Sequence, residues 1–362
     1  MGTGYLKVTT VISSQPIQSK ITIYNGDVIY HEMHTDKNGI TETVPLSAPT
    51  LELSLDPTFT GLPYATYSVK AESPGLEPAN VHGVRIFDTI TSILPINLAS
   101  HQGNIIDNEY AIPVHQLLSP STKAIKKPEI NEPLVEVEIP NKITIHMGHP
   151  DMDSPTIHIP YADYIKGVVS QAVFPTWPNA AIEACIYAAA SLALNRVCTK
   201  WYKPQGFHIT NTGDCDQTLA LPSQEYKNIN EMVDRITNRY IKRDGFVEPF
   251  FATYSDGRYT SCTGMWLWGA VALANRGYNA LEILRYYYPA DIHIVEADNI
   301  SVTNENEPVL EFSGIAMEEN TVSPVHTGKK ENTNNLLALY LFSQLIRISE
   351  NHIDNRGSNR RL

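Results

Sequence analysis

Cysteine, basic charge and long apolar runs are all scarce in this chain, and each scarcity removes a class of protein. The four cysteines are Cys185, Cys198, Cys215 and Cys262. Cys185 and Cys198 straddle one predicted helix thirteen residues apart, about 20 Å along its axis and too far for a disulfide between them. Lysine and arginine number 27 against 39 aspartates and glutamates, which leaves a net charge of −12 and a pI near 5.4. Nucleic-acid affinity comes mainly from clustered cations, so no nucleic-acid partner is expected. The opening residues, Met1 to Lys7, hold no basic segment followed by an apolar run, and no secretory signal is read there. Leu6 stands where a myristoylation start needs Ser or Thr. The most apolar late segment, 335–348, has an uninterrupted run of about seven residues, against the roughly 18–20 needed to cross a bilayer.

What is present is the composition of a folded soluble protein, 42% hydrophobic and 18% charged. A chain of 362 residues can build two or three domains with cores of their own. The expected fold class is multi-domain, an N-terminal all-β sandwich followed by an α+β domain. Residues 1–99 carry short alternating runs rich in β-branched residues at Tyr5 to Val11, Ile21 to Tyr24, Ser68 to Ala71 and Ser92 to Leu98. Turn chemistry at Asn25-Gly26-Asp27, Asp36 to Gly39 and Ser73-Pro74-Gly75 separates them, the pattern of antiparallel sheets. That order of strands, with Pro16-Ile17, Thr35-Asp36 to Gly39 and Pro74-Gly75 between them, resembles the carboxypeptidase regulatory-like (transthyretin-like) module. The resemblance implies a spacer or contact surface.

Residues 100–133, with Pro113, Pro120, Pro128 and Pro133 around Lys123, Lys126 and Lys127, read as an extended linker. A second domain over 134–298 opens with strands at Ile143 to His146 and Thr156 to Ile159. Three helices follow. The first starts at Thr176 and Pro178 and buries a stripe through Ile182, Cys185, Ala189 and Leu192. The second starts near Ser223, has Glu225 in its first turn, and aligns Tyr226, Ile229, Val233, Ile236 and Tyr240 on one face. The third is capped by Asn279 with Glu282 as its capping-box partner and is stopped by Pro289. Residues 299–362 form a polar tail ending in an apolar helix, Leu336 to Ile348, expected to dock on its own chain or on a partner helix rather than on a membrane.

Two blocks about ninety residues apart carry the functional signal: Tyr164 to Pro178, containing Phe174-Pro175-Thr176-Trp177-Pro178, and Cys262 to Ala270 followed by Leu273 to Pro289. Together they resemble the stage II sporulation protein D (SpoIID/LytB) family of peptidoglycan lytic transglycosylases, over residues of about 135–297. The family chemistry needs one carboxylic acid to protonate the glycosidic oxygen; the muramic 6-hydroxyl then attacks the anomeric carbon and returns a proton to the same group. By the resemblance, that glutamate falls at Ala172, where a methyl group cannot move a proton. The family's Ser-Gln pair falls at Trp266-Leu267, and its helix Gln and Arg at Cys185 and Ala190. Four further polar positions lost together with the acid read as natural decay, whereas a change at Ala172 alone would fit an engineered inactive variant.

The expected catalytic set is therefore empty, with Asp216 and Glu183 as weak stand-ins. Sugar rings stack on aromatic faces, so Trp177 and Trp266 are glycan-binding candidates alongside the polar Asp216, Gln217 and Glu248. Trp177 and Trp268 read in the first place as core residues, and Trp266 alternatively as a plug filling the groove. Some members of the family bind zinc near the loop at Cys215, but His208 and Cys215, seven residues apart, lack a ligand spacing. His146, His149, Asp151, Asp153 and His158 read as exposed strand-end residues. No metal or cofactor is expected. Two functions remain: a catalytically degenerate binding or structural module at peptidoglycan, in a phage-tail-like, bacteriocin or spore assembly, or an active lyase with a displaced acid. The expected location is the cell wall or a particle.

Overall fold

The computed structural model describes residues 1–100, 108–115, 136–221, 223–257, 264–297 and 299–301. The expected apolar helix at Leu336 to Ile348 lies outside them, as does Cys262.

Alternation sets the N-terminal region. Along the strand Gly2–Ile12 the residues Gly4, Leu6, Val8 and Thr10 are buried while Thr3 and Tyr5 are exposed, the two-residue period of a half-buried strand. This strand is central in a five-stranded sheet, with Thr91–Asn97 parallel on one side and Val44–Ala48 antiparallel on the other. A second five-stranded sheet runs in the order Val28–His34, Lys20–Asn25, Ala65–Glu72, Ala79–Ile86, Asn108–Ala111. Leu6, Val8, Leu46, Leu94 and Ile96 from the first sheet and Ile21, Ile23, Val69, Val81 and Val84 from the second fill one common core. The sequence patterning misses Val28–His34 because that edge strand is exposed on both faces and shows no alternation. A short helix, α1 (Leu51–Leu55), follows Val44–Ala48.

The remaining helices are α2 (Tyr161–Ala172), α3 (Asn179–Cys198), α4 (Lys227–Ile236), α5 (Leu267–Ala274) and α6 (Ala280–Tyr287). A three-stranded sheet places Lys142–His146 between antiparallel Thr156–Pro160 and parallel Ile209–Thr210. Helix α3 is the axis of this region, and α2, α4, α5 and α6 all pack against it. A buried stripe was expected on α3. Instead, fifteen of its 20 residues are buried, on every side, which is what an all-round apolar helix requires in water. Its length and composition would suffice to cross a bilayer, but here it is the interior of the fold.

Two further expectations are corrected. Glu225 and Tyr226 do not open a helix: they form a two-residue strand that pairs antiparallel with Ile93 and Ser92, and α4 begins at Lys227. Tyr240, expected on that helix, belongs to the strand Arg239–Arg243. The capping box at Asn279 and Glu282 forms as the spacing predicts, Glu282 N donating to Asn279 Oδ1 and Asn279 N to Glu282 Oε2.

The stretch read as a linker contains the strand Asn108–Ala111, which extends the second sheet. The regions on either side of it meet along a seam, and all the described residues fall in one compact unit. Gln224 bonds both the N–H and the carbonyl of Arg85, and Phe87 packs against Phe174 and Tyr226 at ring separations of 5.7 and 5.6 Å. Trp177 Nε1 donates to the Ser54 carbonyl at 3.0 Å, and Thr176 Oγ1 to Ser54 Oγ at 2.7 Å.

Glu225 has an electrostatic cost at this seam. Burial raises its carboxyl above the usual value of 4.5, and the Asn230 amide, donating to it at 2.6 Å, offsets only part of that. A carboxyl whose folded pKa is raised favours the fold while protonated, and this contribution is lost as the pH rises from about 4.5 through the folded value. Glu225→Gln should therefore raise the melting temperature at pH 7 and leave it unchanged near pH 4, a difference read by thermal unfolding at the two pH values.

Candidate functional site

Helix α2 ends at Ala172, where the Val173 N–H closes the last turn on the Val169 carbonyl. The chain then turns through Phe174 to Pro178 into α3. The turn is held by Trp177 N–H to the Phe174 carbonyl at 3.1 Å and by Asn228 Nδ2 to the Pro175 carbonyl at 2.7 Å. Ala172 is 6% exposed and lines a cavity of about 20 Å³ bounded also by Val168, Gln171, Gly213, Asp216 and Gln217. A water needs about 10–15 Å³. Among the described residues, the enclosed space beside Ala172 is that of a water molecule.

Asp216 and Gln217 come to this cavity on the loop after the strand Ile209–Thr210, and the fold uses both side chains. Asp216 is 1% exposed. Its Oδ1 accepts from Arg196 Nε at 2.5 Å, and its Oδ2 accepts from the Thr210 N–H at 3.0 Å and the Thr210 hydroxyl at 2.7 Å. Arg196, on the last turn of α3, also donates to the Cys215 carbonyl at 3.2 Å. Its guanidinium lies between the rings of Trp201 and Phe251, 4.1 and 4.2 Å from their centroids. The result is a buried charge pair whose remaining hydrogen bonds are satisfied, the condition under which such a pair is tolerated inside a protein. Gln217 accepts from the Tyr164 hydroxyl at 3.2 Å and donates to the Ala189 carbonyl at 2.9 Å. These contacts tie the loop to α2 and α3, and neither residue presents a free polar group for proton transfer.

The other candidates lie away from this cavity. Glu183 is on α3 and pairs with Arg235 of α4 at 2.5 Å, a contact largely open to solvent. Glu248 is half-buried in the stretch after the strand Arg239–Arg243. Trp177 is 3% exposed and packs on Phe174 and Trp268, at 5.5 and 4.9 Å between centroids, so it serves the seam. Trp266 is expected either to stack on a glycan or to plug the groove, and the structure departs from the second. It is 44% exposed and does not border the cavity, because the strand pair Met265–Trp266 and Tyr254–Ser255 turns it outward. Gly257 permits that path: its φ is +77°, and a Cβ there would come 2.7 Å from the Trp266 Cβ. Leu267 is buried at the start of α5.

His146 also departs from expectation. It is buried, stacked on Phe207 at 4.6 Å, with Nε2 facing the His149 and Met152 carbonyls at 3.2 and 3.1 Å. His208 Nδ1 accepts from the Thr144 N–H at 3.0 Å. Among the described residues, no three His, Cys, Asp or Glu side chains gather as a metal would need. The thiols of Cys185 and Cys198 are pushed up by burial, that of Cys198 to about 12, away from the range of a reactive thiolate.

Sequence reasoning missed Tyr254 and Gln171, which line the cavity, and Arg85, whose Nη2 reaches Gln171 Oε1 at 3.4 Å from 86 positions away. No local pattern marks a contact of that range. Tyr254 sits between Thr253 and Ser255 in a short stretch that carries no spacing signal.

Residues 154–244 match the SpoIID family, described as Stage II sporulation protein, and the match points to a peptidoglycan-related role in sporulation or at the cell wall. It covers α2, α3, the Asp216 loop and α4, and stops short of the block around Trp266. No match is found among curated proteins.

Proposed function

We propose that this chain is a peptidoglycan-associated binding or structural module that retains the lytic transglycosylase scaffold without its chemistry. The observation that carries the reading is the cavity at Ala172: about 20 Å³, with Asp216 as its one bordering carboxylate among the described residues and both oxygens of Asp216 already accepting hydrogen bonds. Cleavage of a glycosidic bond needs a proton on the leaving oxygen. Among the described residues, no carboxyl beside Ala172 is free to supply it. Degeneration within the SpoIID family accounts for this better than an engineered change at one position, since Leu267 and Cys185 are packed apolar neighbours and not truncated polar ones. A glycan strand, or a protein in a phage-tail-like, bacteriocin or spore assembly, is the partner class this reading implies, at the cell wall or on a particle. By the sequence resemblance of residues 1–99 to a carboxypeptidase regulatory-like module, the N-terminal sheets supply a contact surface.

The alternative is an active lyase using Asp216 or Glu183. Asp216 is spoken for by Arg196 and Thr210, and Glu183 by Arg235 at the surface. Pure protein incubated with intact sacculi should release no anhydro-muropeptides above a buffer control; release would sink the proposal. Ala172→Glu alone should also remain inactive. Fitting a further methylene and a carboxylate into this cavity should cost about 1–3 kcal/mol of overpacking, seen as a lowered urea midpoint. Robust cleavage by that variant would instead show a working site lacking its acid alone.

A further inference from the structure

Arg85 heads the fully buried side chains of this protein, at 2% exposed, and nothing in the site above accounts for it. Its backbone is clamped: Gln224 bonds its N–H and carbonyl, and the Ser92 hydroxyl donates to the same carbonyl at 2.8 Å. Its guanidinium is nearly bare. Nη2 makes one long contact, 3.4 Å, to Gln171 Oε1, while Nε and Nη1 have no hydrogen-bond partner. Among the described residues, no carboxylate pairs with it.

The same seam holds other buried polar atoms without partners: the Ser170 hydroxyl on α2, the Tyr226 hydroxyl and His115 Nδ1. Their residues are 2%, 0% and 8% exposed. They belong to one neighbourhood. His115 N–H donates to the Tyr64 hydroxyl at 3.1 Å, its Nε2 faces the Val173 carbonyl at 3.2 Å, and its ring packs on Phe174 at 4.9 Å. Phe87, two residues after Arg85, touches Tyr64, Phe174 and Tyr226. The Arg85 charge is felt across this group: after burial, it is the next cause holding His115 well below its ordinary value, and it opposes the rise that burial imposes on Tyr64 and Tyr226.

A guanidinium stays charged at any pH a protein survives, so it cannot escape burial by losing its proton. Buried polar groups are almost always hydrogen-bonded, and a buried charge without a counter-charge is costly. Water would satisfy the orphan N–H groups and leave the charge uncompensated. The guanidinium is too enclosed to meet a carboxylate of a glycan or a peptide. A small ion meets both conditions. We propose that an inorganic monoanion of chloride size binds in this seam, accepting from Arg85 Nε–H and Nη1–H, with the Tyr226 and Ser170 hydroxyls as further donors, and that it fastens the N-terminal sheets to α2.

Crystals of the full chain soaked in sodium bromide should show an anomalous peak within hydrogen-bond distance of Arg85 Nε and Nη1. In solution, replacing isethionate by chloride at constant ionic strength should raise the melting temperature by about 2–4 °C, because an ion that binds only the folded state stabilises it by mass action. Arg85→Met should lose that response. If Arg85→Met does not fold, Ser170→Ala should show a reduced chloride response. Water peaks at Arg85 with no bromide signal would overturn the proposal. So would a chloride response of equal size in the wild-type chain and the variants.

Discussion

Asp216→Ala should cost the folded chain about 3–5 kcal/mol, read as a fall in the urea midpoint at unchanged slope. Removing the carboxylate leaves the Arg196 guanidinium buried without its charge partner and strips the Thr210 N–H and hydroxyl of their acceptor. Stacking between Trp201 and Phe251 cannot replace the lost anion, because aromatic faces contribute about 0.5–2 kcal/mol to a cation. The same substitution separates the two functional readings. If Asp216 is a displaced acid, Asp216→Asn should abolish cleavage of sacculi. If it is a structural anion, there is no cleavage to abolish, and Asp216→Asn loses stability because an amide nitrogen faces donors.

Trp177→Ala should be about as damaging, at about 3–5 kcal/mol for a large aromatic removed from a packed interior. The ring fills the space between Phe174 and Trp268, and its N–H satisfies the carbonyl of Ser54 across the seam. Trp177→Phe should recover much of the packing and leave the Ser54 carbonyl one donor short, so its loss should be smaller, on the order of 1–3 kcal/mol. A glycan platform would behave differently: Trp177→Ala would then weaken binding to sacculi with little change in unfolding. Unfolding and sacculus pull-down measured on the same three proteins distinguish the cases.

These expectations rest on what local patterns could and could not carry. The strands around Leu6, Ile21, Ile143 and Ile157 and the Asn279 capping box were legible because each rests on neighbours within a few residues. Glu225 and Tyr226 read as a helix start because Ile229, Val233 and Ile236 continue the pattern. The strand they form is imposed by Ile93 and Ser92, far upstream. Helix α3 read as striped because periodicity marks the apolar residues, while small alanines on its other faces let four helices approach. At the candidate site, the sequence resemblance alone sets the family's acid at Ala172, since it depends on the order of residues before Phe174. What was not visible was where the tryptophans point, since the outward turn of Trp266 depends on the pairing of Met265 with Tyr254 and on the backbone at Gly257.

The two-residue strand at Glu225–Tyr226 has a consequence for the order in which the chain is made. It covers the flank of Thr91–Asn97, so the first sheet is finished by residues that follow it by well over a hundred positions. Synthesis at roughly 5–20 residues per second separates the two by about 6–26 s. Throughout that interval the newborn sheet presents an unpaired edge carrying Ile93 and Ser92, the kind of edge that recruits strands from other molecules. The nascent chain is therefore most exposed to mispairing after its N-terminal part has collapsed, and that risk ends when Tyr226 arrives.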